Sequence, residues 1–216
     1  MKSPMETYWD SEYKRDVSIF GDEPSILAID IASLRIKNPP KRILDIGCGY
    51  GRDLFYYVSH GMETTGIDIS EKAISLAYRQ GVSLGIPFEV LKNDFLCETS
   101  FQCNSFDFIV SYELLHLLNK IELKKAIEKI YGLLTKNGLT GHIILSDEDF
   151  TFGRGTRMSE NTYEWVKGKI VHYYQEEELR GFFYMFKILR LERIEVKESH
   201  DGYHVHNGWF ILAVKD

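Results

Sequence analysis

Cysteine and proline are scarce in this sequence, and no long apolar run occurs in it. The three cysteines, Cys48, Cys97 and Cys103, form no C-x-x-C pair. So sparse and odd-numbered a set predicts reduced thiols, as in the cytoplasm, rather than a disulfide framework. The opening stretch MKSPMETYWDSEYKRD has no apolar segment typical of a signal peptide, and no run approaches the about 20 residues that cross a bilayer. We therefore expect a cytoplasmic protein without a membrane partner.

Positive charge is also in short supply. The 26 Lys and Arg residues are outnumbered by 32 Asp and Glu residues, which leaves a formal net charge of −6. A nucleic-acid footprint needs clustered cations that replace phosphate counterions, so this balance disfavours one. The 216 residues, 44% of them hydrophobic, suit one domain with a full core. We expect a single domain over residues 1–216, as a monomer or homodimer.

Strand and helix signals alternate through the first two thirds of the chain. The stretches RILDIG, ETTGIDI, PFEVLK, SFDFIVSY and LTGHIILSD are typical of strands, and residues 121–136 carry the clearest helical stripe. Ser70 is predicted to cap one helix at its start, and Gly61 to follow another in a left-handed conformation. This alternation predicts an α/β fold, a doubly wound Rossmann-like sheet that is mostly parallel.

The last third breaks that rhythm. Residues 148–174 contain three glycines and several aromatic residues, and we interpret them as a loop. A helix, EEELRGFFYMF, and two strands, ILRLERIEVKE and NGWFILAVKD, follow. Two consecutive strands without a helix between them predict an antiparallel strand hairpin at the C-terminal end of the sheet.

A glycine-rich turn follows the first predicted strand in RILDIGCGYGRD. Glycines at this place allow close approach of the backbone to a ligand and aim helix N–H groups at it. The third glycine position of a dinucleotide fingerprint is occupied by Arg52, and the G-K-[S/T] of a phosphate-binding loop is absent. The pattern present is D-x-G-x-G-x-G, from Asp45 to Gly51. A tight turn without any ligand remains the alternative.

Together with GIDIS, KNDF and FDFIVSYELLHLL, this turn resembles the class I S-adenosylmethionine-dependent methyltransferases over about residues 40–146. The resemblance implies that S-adenosylmethionine is the cofactor and S-adenosylhomocysteine the product. Asp45 would face the ammonium group, the turn's N–H groups the carboxylate, Asp68 the ribose hydroxyls and Asp94 the adenine amino group. The cofactor-binding residues implied are Asp45, Gly47, Cys48, Gly49, Gly51, Arg52, Asp68, Ile69, Asp94, Phe95, Ser111 and Tyr112.

The range of possible methyl acceptors is reduced mainly by motifs that the sequence lacks. The N/D-P-P-Y/F motif of adenine and glutamine amino-methyltransferases is replaced by SYEL, and the paired glutamates of arginine methyltransferases are reduced to Glu113 alone. The acidic SDEDF is interpreted as a solvated turn rather than a catechol-type metal site. We expect a small-molecule acceptor, and the chain is similar to the thiol, amine and tellurite methyltransferases in its FGDEPS stretch. A protein methyltransferase and a non-catalytic cofactor binder remain alternatives.

Two segments are predicted to cover the acceptor. The stretch YWDSEY resembles the amino-terminal lid of small-molecule methyltransferases, which implies a lid over residues 1–24 with Tyr8, Trp9 and Tyr13 lining the pocket. Residues 148–186 would form an insertion on the substrate side, in which Arg154 and Arg157 could bind an anionic acceptor and Tyr173 could line the site. The alternatives are a frayed terminus and ordinary surface charge.

Three residues are candidates for the chemistry itself. Tyr112 and His116 follow the fourth predicted strand, where the transferred methyl group should lie, and Tyr13 is a candidate beside the sulfonium. His116 could take a proton near neutral pH, or could merely pack locally. His204 and His206 would share a strand face, but no cysteine or carboxylate spacing accompanies them, so we expect no metal.

Overall fold

A seven-stranded sheet in the order β3-β2-β1-β4-β5-β10-β9 forms the centre of the molecule. The computed structural model describes residues 2–34, 41–97, 99–198 and 203–216. The strands of this sheet are β1 (Arg42–Ile46), β2 (Glu63–Asp68), β3 (Glu89–Lys92), β4 (Phe106–Tyr112), β5 (Leu134–Leu145), β9 (Lys187–Glu198) and β10 (His204–Val214). A separate three-stranded sheet contains β6 (Thr156–Ser159), β7 (Thr162–Val166) and β8 (Lys169–His172).

The pairing of the strands confirms the predicted fold class. Strand β1 pairs in parallel with both β2 and β4, and β4 continues in parallel to β5. Strand β10 runs antiparallel to β5 and to β9, which gives the antiparallel pair at the C-terminal end. The strand order reverses between β1 and β4, so the chain leaves the carboxyl ends of these two strands toward opposite faces of the sheet. A crevice is left there, as in other open α/β sheets.

Helices cover both faces of this sheet. They are α1 (Pro4–Arg15), α2 (Ile26–Ser33), α3 (Arg52–Ser59), α4 (Glu71–Leu84), α5 (Lys120–Leu133) and α6 (Glu176–Phe182), with a 3₁₀ turn at Leu115–Leu117. One apolar cluster joins α5 and α6 to the sheet, and another joins α2 and α3 to its opposite face. None of the helices in the described ranges has the length and hydropathy needed to cross a bilayer.

Local capping follows the sequence closely. The Ser70 hydroxyl accepts from the Ala73 N–H at 3.1 Å, and Gly61 follows α3 with φ 80°. Helix α5 starts with a capping box, in which Asn119 and Glu122 satisfy each other's backbone N–H groups. Serine at a helix start and glycine after a helix end are therefore reliable signals in this chain.

The predicted helix over 121–136 ends earlier than its apolar stripe suggests. Helix α5 stops at Leu133, and Leu134, with ψ 140°, already pairs with Phe106 as the first residue of β5. Leu134 is fully buried, so the sheet offers it a better environment than another helical turn does. Residues 136–138, expected to end the helix, lie within the strand, where Asn137 adopts φ 62°.

The interpretation of residues 148–174 as a loop is wrong. Strands β6, β7 and β8 form an antiparallel meander there, connected to the main sheet by a bridge between Ser146 and Tyr174. Strands β6 and β7 are exposed or only half-buried, so their residues lack the apolar alternation that marks a strand in a sequence.

Candidate active site

A pocket opens at the carboxyl ends of β1, β2 and β4, beneath α1. Its walls combine the glycine turn, the ends of these strands and several aromatic side chains. The lining residues are Met5, Trp9, Tyr13, Phe20, Asp45, Ile46, Gly47, Cys48, Gly49, Tyr50, Arg52, Asp53, Ile67, Asp68, Ile69, Asn93, Asp94, Phe95, Leu96, Tyr112, Glu113, Leu114, Leu117 and Leu118. A narrow apolar pocket with a few convergent polar groups is the usual form of a small-molecule site.

The glycine turn needs its glycines for backbone geometry and for closeness to a neighbour. Gly47, Gly49 and Gly51 have φ values of 77°, 55° and 91°, a region that side chains disfavour. A Cβ atom at Gly49 would lie 2.7 Å from the Tyr13 hydroxyl oxygen. The turn thus brings bare backbone to the pocket and leaves room for the aromatic side chain above it.

The N–H groups of the turn are largely engaged within the protein. Those of Gly47 and Cys48 donate to the Ile67 carbonyl at 2.8 and 3.0 Å, and that of Gly49 donates to Asp68 Oδ2 at 3.0 Å. These three N–H groups therefore already have acceptors within the protein, and they are not free to donate to a ligand carboxylate as expected. Arg52 supplies the cation on this side of the pocket instead.

Arg52 is held in place from three directions. Its Nε donates to Asp53 Oδ1 at 3.1 Å, one terminal nitrogen donates to the Phe20 carbonyl at 2.9 Å, and the guanidinium lies 4.8 Å from the centre of the Tyr112 ring. Asp53 also accepts from the N–H and hydroxyl of Ser25. The segment between α1 and α2 is thereby anchored to the start of α3.

Asp68 ends β2 and faces the pocket while it organises the turn. Its Oδ1 accepts from the Ser70 N–H at 2.8 Å and its Oδ2 from the Gly49 N–H at 3.0 Å. Burial raises the pKa of this carboxyl to about 6. Each carboxylate oxygen has a second lone pair, so Asp68 can still accept from a pair of hydroxyl groups.

Two buried side-chain groups of the pocket have oxygen atoms that could accept hydrogen bonds from a ligand. The Asp45 carboxylate is 4% exposed, and no donor among the described residues hydrogen-bonds to it. Asn93 Oδ1 is buried without a hydrogen-bond partner in the same residues. Buried polar groups are rarely left in this state, so a ligand that brings an ammonium group and further donors fits this wall. Asp94, whose Oδ1 accepts from the Leu96 N–H at 3.0 Å, and Phe95 complete it.

Helix α1 covers the pocket and is hydrogen-bonded to the start of helix α4. Asp10 Oδ1 accepts from the Ser70 hydroxyl at 2.6 Å and from the Lys72 N–H at 3.1 Å, so an acidic side chain of α1 caps the start of α4. Although burial acts in the opposite direction, the hydrogen bonds from Lys2 and Ser70 lower the pKa of Asp10 to about 2. Trp9 and Tyr13 project from α1 into the pocket.

The part of the pocket that follows β4 contains one buried carboxyl, that of Glu113. Glu113 follows β4 with φ 52°, and its Oε1 is buried without a hydrogen-bond partner among the described residues. Burial, reinforced by the nearby Glu198, raises the pKa of Glu113 to about 8. The adjacent Tyr112 donates its hydroxyl to Glu198 Oε1 at 2.8 Å. A carboxyl of this kind can exchange a proton near neutral pH.

His116 lies behind this wall rather than in it. It is 4% exposed, does not belong to the lining set, and its Nδ1 accepts from the Leu145 N–H at 3.4 Å. Burial lowers the pKa of His116 to about 3, so the imidazole stays neutral at physiological pH. The expected titration of this histidine near pH 6 to 7 does not agree with that environment.

The structure separates the remaining predicted residues into two groups. Cys48, Ile69, Phe95, Trp9 and Tyr13 line the pocket together. The others lie outside its lining, and they are Tyr8, Gly51, Ser111, Arg154, Arg157 and Tyr173. Gly51 is the N-cap residue of α3, and the Ser111 hydroxyl contacts His142 Nδ1 at 2.8 Å. Arg154 stacks on Phe150, Arg157 donates to the Ser159 carbonyl, and the Tyr173 hydroxyl contacts Thr151 and Trp165.

Sequence reasoning missed the roles of Asp10, Asn93 and Glu113. Asn93 immediately precedes Asp94 in KNDF, and Glu113 follows directly on β4, so position at a strand end was the available signal. Asp10 offered no such signal, because its partner Ser70 is 60 residues away in the chain.

Comparison with known proteins finds a family model that matches the central part of the chain. Residues 43–138 match the family described as methyltransferase domain. The tRNA N(3)-methylcytidine methyltransferase Mettl2 of Drosophila melanogaster is 28% identical over 196 residues, which cover 81% of this chain and 58% of that protein. The chain thus spans a little over half the length of this curated relative.

Solved structures extend the likeness to the whole fold. A SAM-dependent methyltransferase of Methanosarcina mazei is 25% identical with a TM-score of 0.70, covering 81% of this chain and 92% of its own. The 1,6-didemethyltoxoflavin-N1-methyltransferase of Burkholderia thailandensis, solved with 1,6-didemethyltoxoflavin and S-adenosylhomocysteine, has a TM-score of 0.73 at 17% identity. That likeness covers 98% of this chain and 87% of the other, and it concerns the fold alone.

Proposed function

We propose that this chain, which carries a class I S-adenosylmethionine-dependent methyltransferase domain, transfers a methyl group from S-adenosylmethionine to a small-molecule acceptor. The observation that carries this proposal is the composition of one continuous pocket. One part of it is lined by the glycine turn, the buried Asp45 carboxylate and Asn93 Oδ1, and the other part contains the buried Glu113 carboxyl. Neither Asn93 Oδ1 nor Glu113 Oε1 has a hydrogen-bond partner among the described residues.

The donor half of the pocket has the groups that this cofactor requires. Asp45 would face the ammonium group, Arg52 the carboxylate, Asp68 the ribose hydroxyls, and Asp94 with Phe95 the adenine. When bound, S-adenosylmethionine supplies a methyl group on a sulfonium, which a nucleophile displaces in line. The role of the chain is to hold the donor and to direct its methyl group toward the acceptor side.

The acceptor half is built to exclude water and to receive one polar group. Met5, Leu114, Leu117 and Leu118 are apolar residues that line the same pocket as Glu113. In such surroundings an acceptor nucleophile loses its hydration, and alignment with the methyl group supplies much of the acceleration. Glu113 would orient the acceptor and take its proton. Tyr112 would line the site beside it, with Tyr13 close to the transferred group.

The enclosure of the pocket supports a small acceptor over a macromolecular one. Helix α1 covers the pocket. The turn at Gly168 packs against the start of α1, since a Cβ atom added at Gly168 would lie 3.2 Å from the Pro4 carbonyl oxygen. Residues 1–24 would act as a lid, and residues 148–186 as an insertion that supports it. The net charge of −6 further disfavours a nucleic-acid substrate, although a curated relative methylates tRNA.

Two measurements test this function in sequence. Calorimetry with S-adenosylhomocysteine should show binding, whereas NADH should not bind comparably. The absence of heat at millimolar S-adenosylhomocysteine would contradict the cofactor assignment. A screen of thiols, amines, hydroxylated aromatics and oxyanions, with detection of the S-adenosylhomocysteine product, should then yield an acceptor. Binding of cofactor without transfer to any of these classes would favour a non-catalytic binder, and transfer only to protein would favour a protein methyltransferase.

A further inference from the structure

Three side chains at the end of the β9–β10 pair converge beside the acceptor side of the pocket. His204 and His206 lie on the same face of β10, and Glu198 is the residue of β9 directly opposite His204. One ligand atom from each of these residues lies within 4.8 Å of the other two. Folding thus supplies the carboxylate that the sequence spacing of the histidines does not reveal.

One of these histidines is oriented by a carboxylate of its own. The His206 Nδ1 donates to Asp149 Oδ2 at 2.9 Å, and the same oxygen accepts from the Asn207 N–H at 2.8 Å. Asp149 Oδ1 accepts from the Thr151 N–H at 2.9 Å, so the carboxylate is held on both sides. A histidine whose Nδ1 proton is bound in this way would offer Nε2 to a metal ion, and such carboxylate–histidine pairs typically support metal ligands.

The other two ligands are also positioned by neighbours. Glu198 Oε1 accepts from the Tyr112 hydroxyl at 2.8 Å, and His204 Nε2 lies 4.0 Å from Glu198 Oε2. The Phe150 ring packs against both imidazoles, at 5.6 Å from His204 and 5.1 Å from His206. The ring contacts restrict the orientation of both imidazoles.

We propose that Glu198, His204 and His206 bind one divalent transition-metal ion of the Zn²⁺ class. Two imidazoles and one carboxylate suit such ions, and three protein ligands leave the fourth position of a tetrahedral ion for a water molecule or another ligand. Ligand atoms about 2.0–2.2 Å from a common ion are closer together than 4.8 Å, so binding would draw the three side chains inward by about 1 Å. Tyr112 connects the site to the pocket, because it lines the pocket and donates to Glu198.

The test is titration of the tag-free, chelator-treated protein with Zn²⁺ by calorimetry, with metal analysis after dialysis. Wild type should bind one ion per chain, and the dissociation constant should rise at least tenfold in His204→Asn and in Glu198→Gln. The glutamine keeps an oxygen for the Tyr112 hydroxyl, so Glu198→Gln should fold even where His204→Asn does not. His60→Asn, at an exposed histidine after α3, is the matched control and should bind as wild type does.

Two further readouts separate this proposal from others. Mg²⁺, which prefers oxygen ligands, should not compete with an equal concentration of Zn²⁺. Affinity for S-adenosylhomocysteine should remain near the wild-type value in both ligand variants, so loss of metal binding is distinguishable from failure of the methyltransferase assignment. Absence of stoichiometric Zn²⁺ binding, or equal affinity in wild type and Glu198→Gln, would overturn the proposal.

Discussion

The protonation state of Asp68 is expected to affect the stability of the empty protein and its affinity for the ligand in opposite directions. Burial raises its pKa from 3.8 to about 6, so the empty protein loses stability as the pH rises from about 4 through about 6. The ionised form, however, is the better acceptor for hydroxyl groups. We therefore predict that affinity for S-adenosylhomocysteine increases as the pH rises through about 6, while the melting temperature of the empty protein changes in the opposite direction.

Calorimetry and thermal melting over the same pH range check this prediction. Asp68→Asn should weaken binding by about 1–3 kcal/mol and flatten the dependence on pH. Asp45, whose pKa is also raised by burial, acts in the same direction and should leave a residual slope. An affinity that is constant between about pH 5 and pH 8 in the wild type would contradict the role of Asp68.

Glu113 is the residue on which the chemistry is predicted to depend. Glu113→Gln keeps the size and polarity of the side chain but cannot take a proton, so turnover should fall by about 10²–10⁴-fold if proton transfer accompanies methyl transfer. Affinity for S-adenosylhomocysteine should change little, because Glu113 lies on the acceptor side. Turnover with an identified acceptor and calorimetry are the measurements, and Glu128→Gln, at an exposed position of α5, is the control. Equal losses in both variants would argue for a non-specific effect.

Sequence patterns locate individual residues well when the residue ends a strand. Asp45, Asp68 and Asp94 all lie at such positions, and all three line the pocket. His116 shows the limit of this reasoning: its position after β4 placed it near the pocket, but the 3₁₀ turn directs it to the Leu145 N–H instead. Direction within a short turn depends on contacts that are distant in sequence.

At the scale of elements, α1 lines the pocket and is attached to α4 through one side chain. Its Asp10 binds Ser70 and the Lys72 N–H at the start of α4, while Trp9 and Tyr13 contribute to the pocket. Ser70 follows Asp68 by two residues and donates its N–H to it. The attachment of α1 and the hydrogen bonds of Asp68 therefore share the start of α4.

We predict that Asp10→Asn loosens this attachment, because the amide is a weaker, uncharged acceptor at a helix start. Proteolysis within residues 2–20 should become faster than in wild type, and S-adenosylhomocysteine should slow it in both proteins. Peptide mapping of a limited digest measures this rate. Asp22→Asn, at an exposed position beyond α1, should behave as wild type does, and unchanged cleavage in Asp10→Asn would contradict the attachment.

The elements that sequence reasoning missed are those with little buried surface of their own. Strand β6 is exposed throughout, so nothing in its residues distinguishes it from a polar loop. It is ordered by pairing with β7 between Thr156 and Glu164, and β7 is in turn covered by β8. The antiparallel pairing of these strands depends on the turns that connect them more than on hydrophobic periodicity within each strand.

At the scale of the whole molecule, the parallel core could be predicted because each of its strands is an apolar run between helices. The C-terminal pair followed from two strands without an intervening helix, and the structure confirms it. The position of β10 between β5 and β9 was not predictable from the strand patterns alone, because insertion of a strand leaves no mark in the local sequence. That insertion is also what places His206 beside Asp149.

The charge of the molecule leads to a prediction about its substrate. Because acidic residues exceed basic ones and the pocket is roofed, an excess of unmodified tRNA should leave the rate of methyl transfer to a small acceptor unchanged. Product formation with and without about a tenfold excess of tRNA checks this. Competition that weakens as salt is added would instead indicate a nucleic-acid substrate, as for the Drosophila melanogaster relative.

The distribution of the three cysteines has a consequence for measuring occupancy in solution. Cys97 and Cys103 are exposed, whereas Cys48 is 7% exposed, lines the pocket and has its pKa raised by burial. Alkylation followed by intact-mass spectrometry should therefore show two rapid mass increments and one slow increment. S-adenosylhomocysteine should suppress the slow increment alone, so the natural sequence would report cofactor binding without an introduced probe, and ligand-independent labelling of Cys48 would place the cofactor elsewhere.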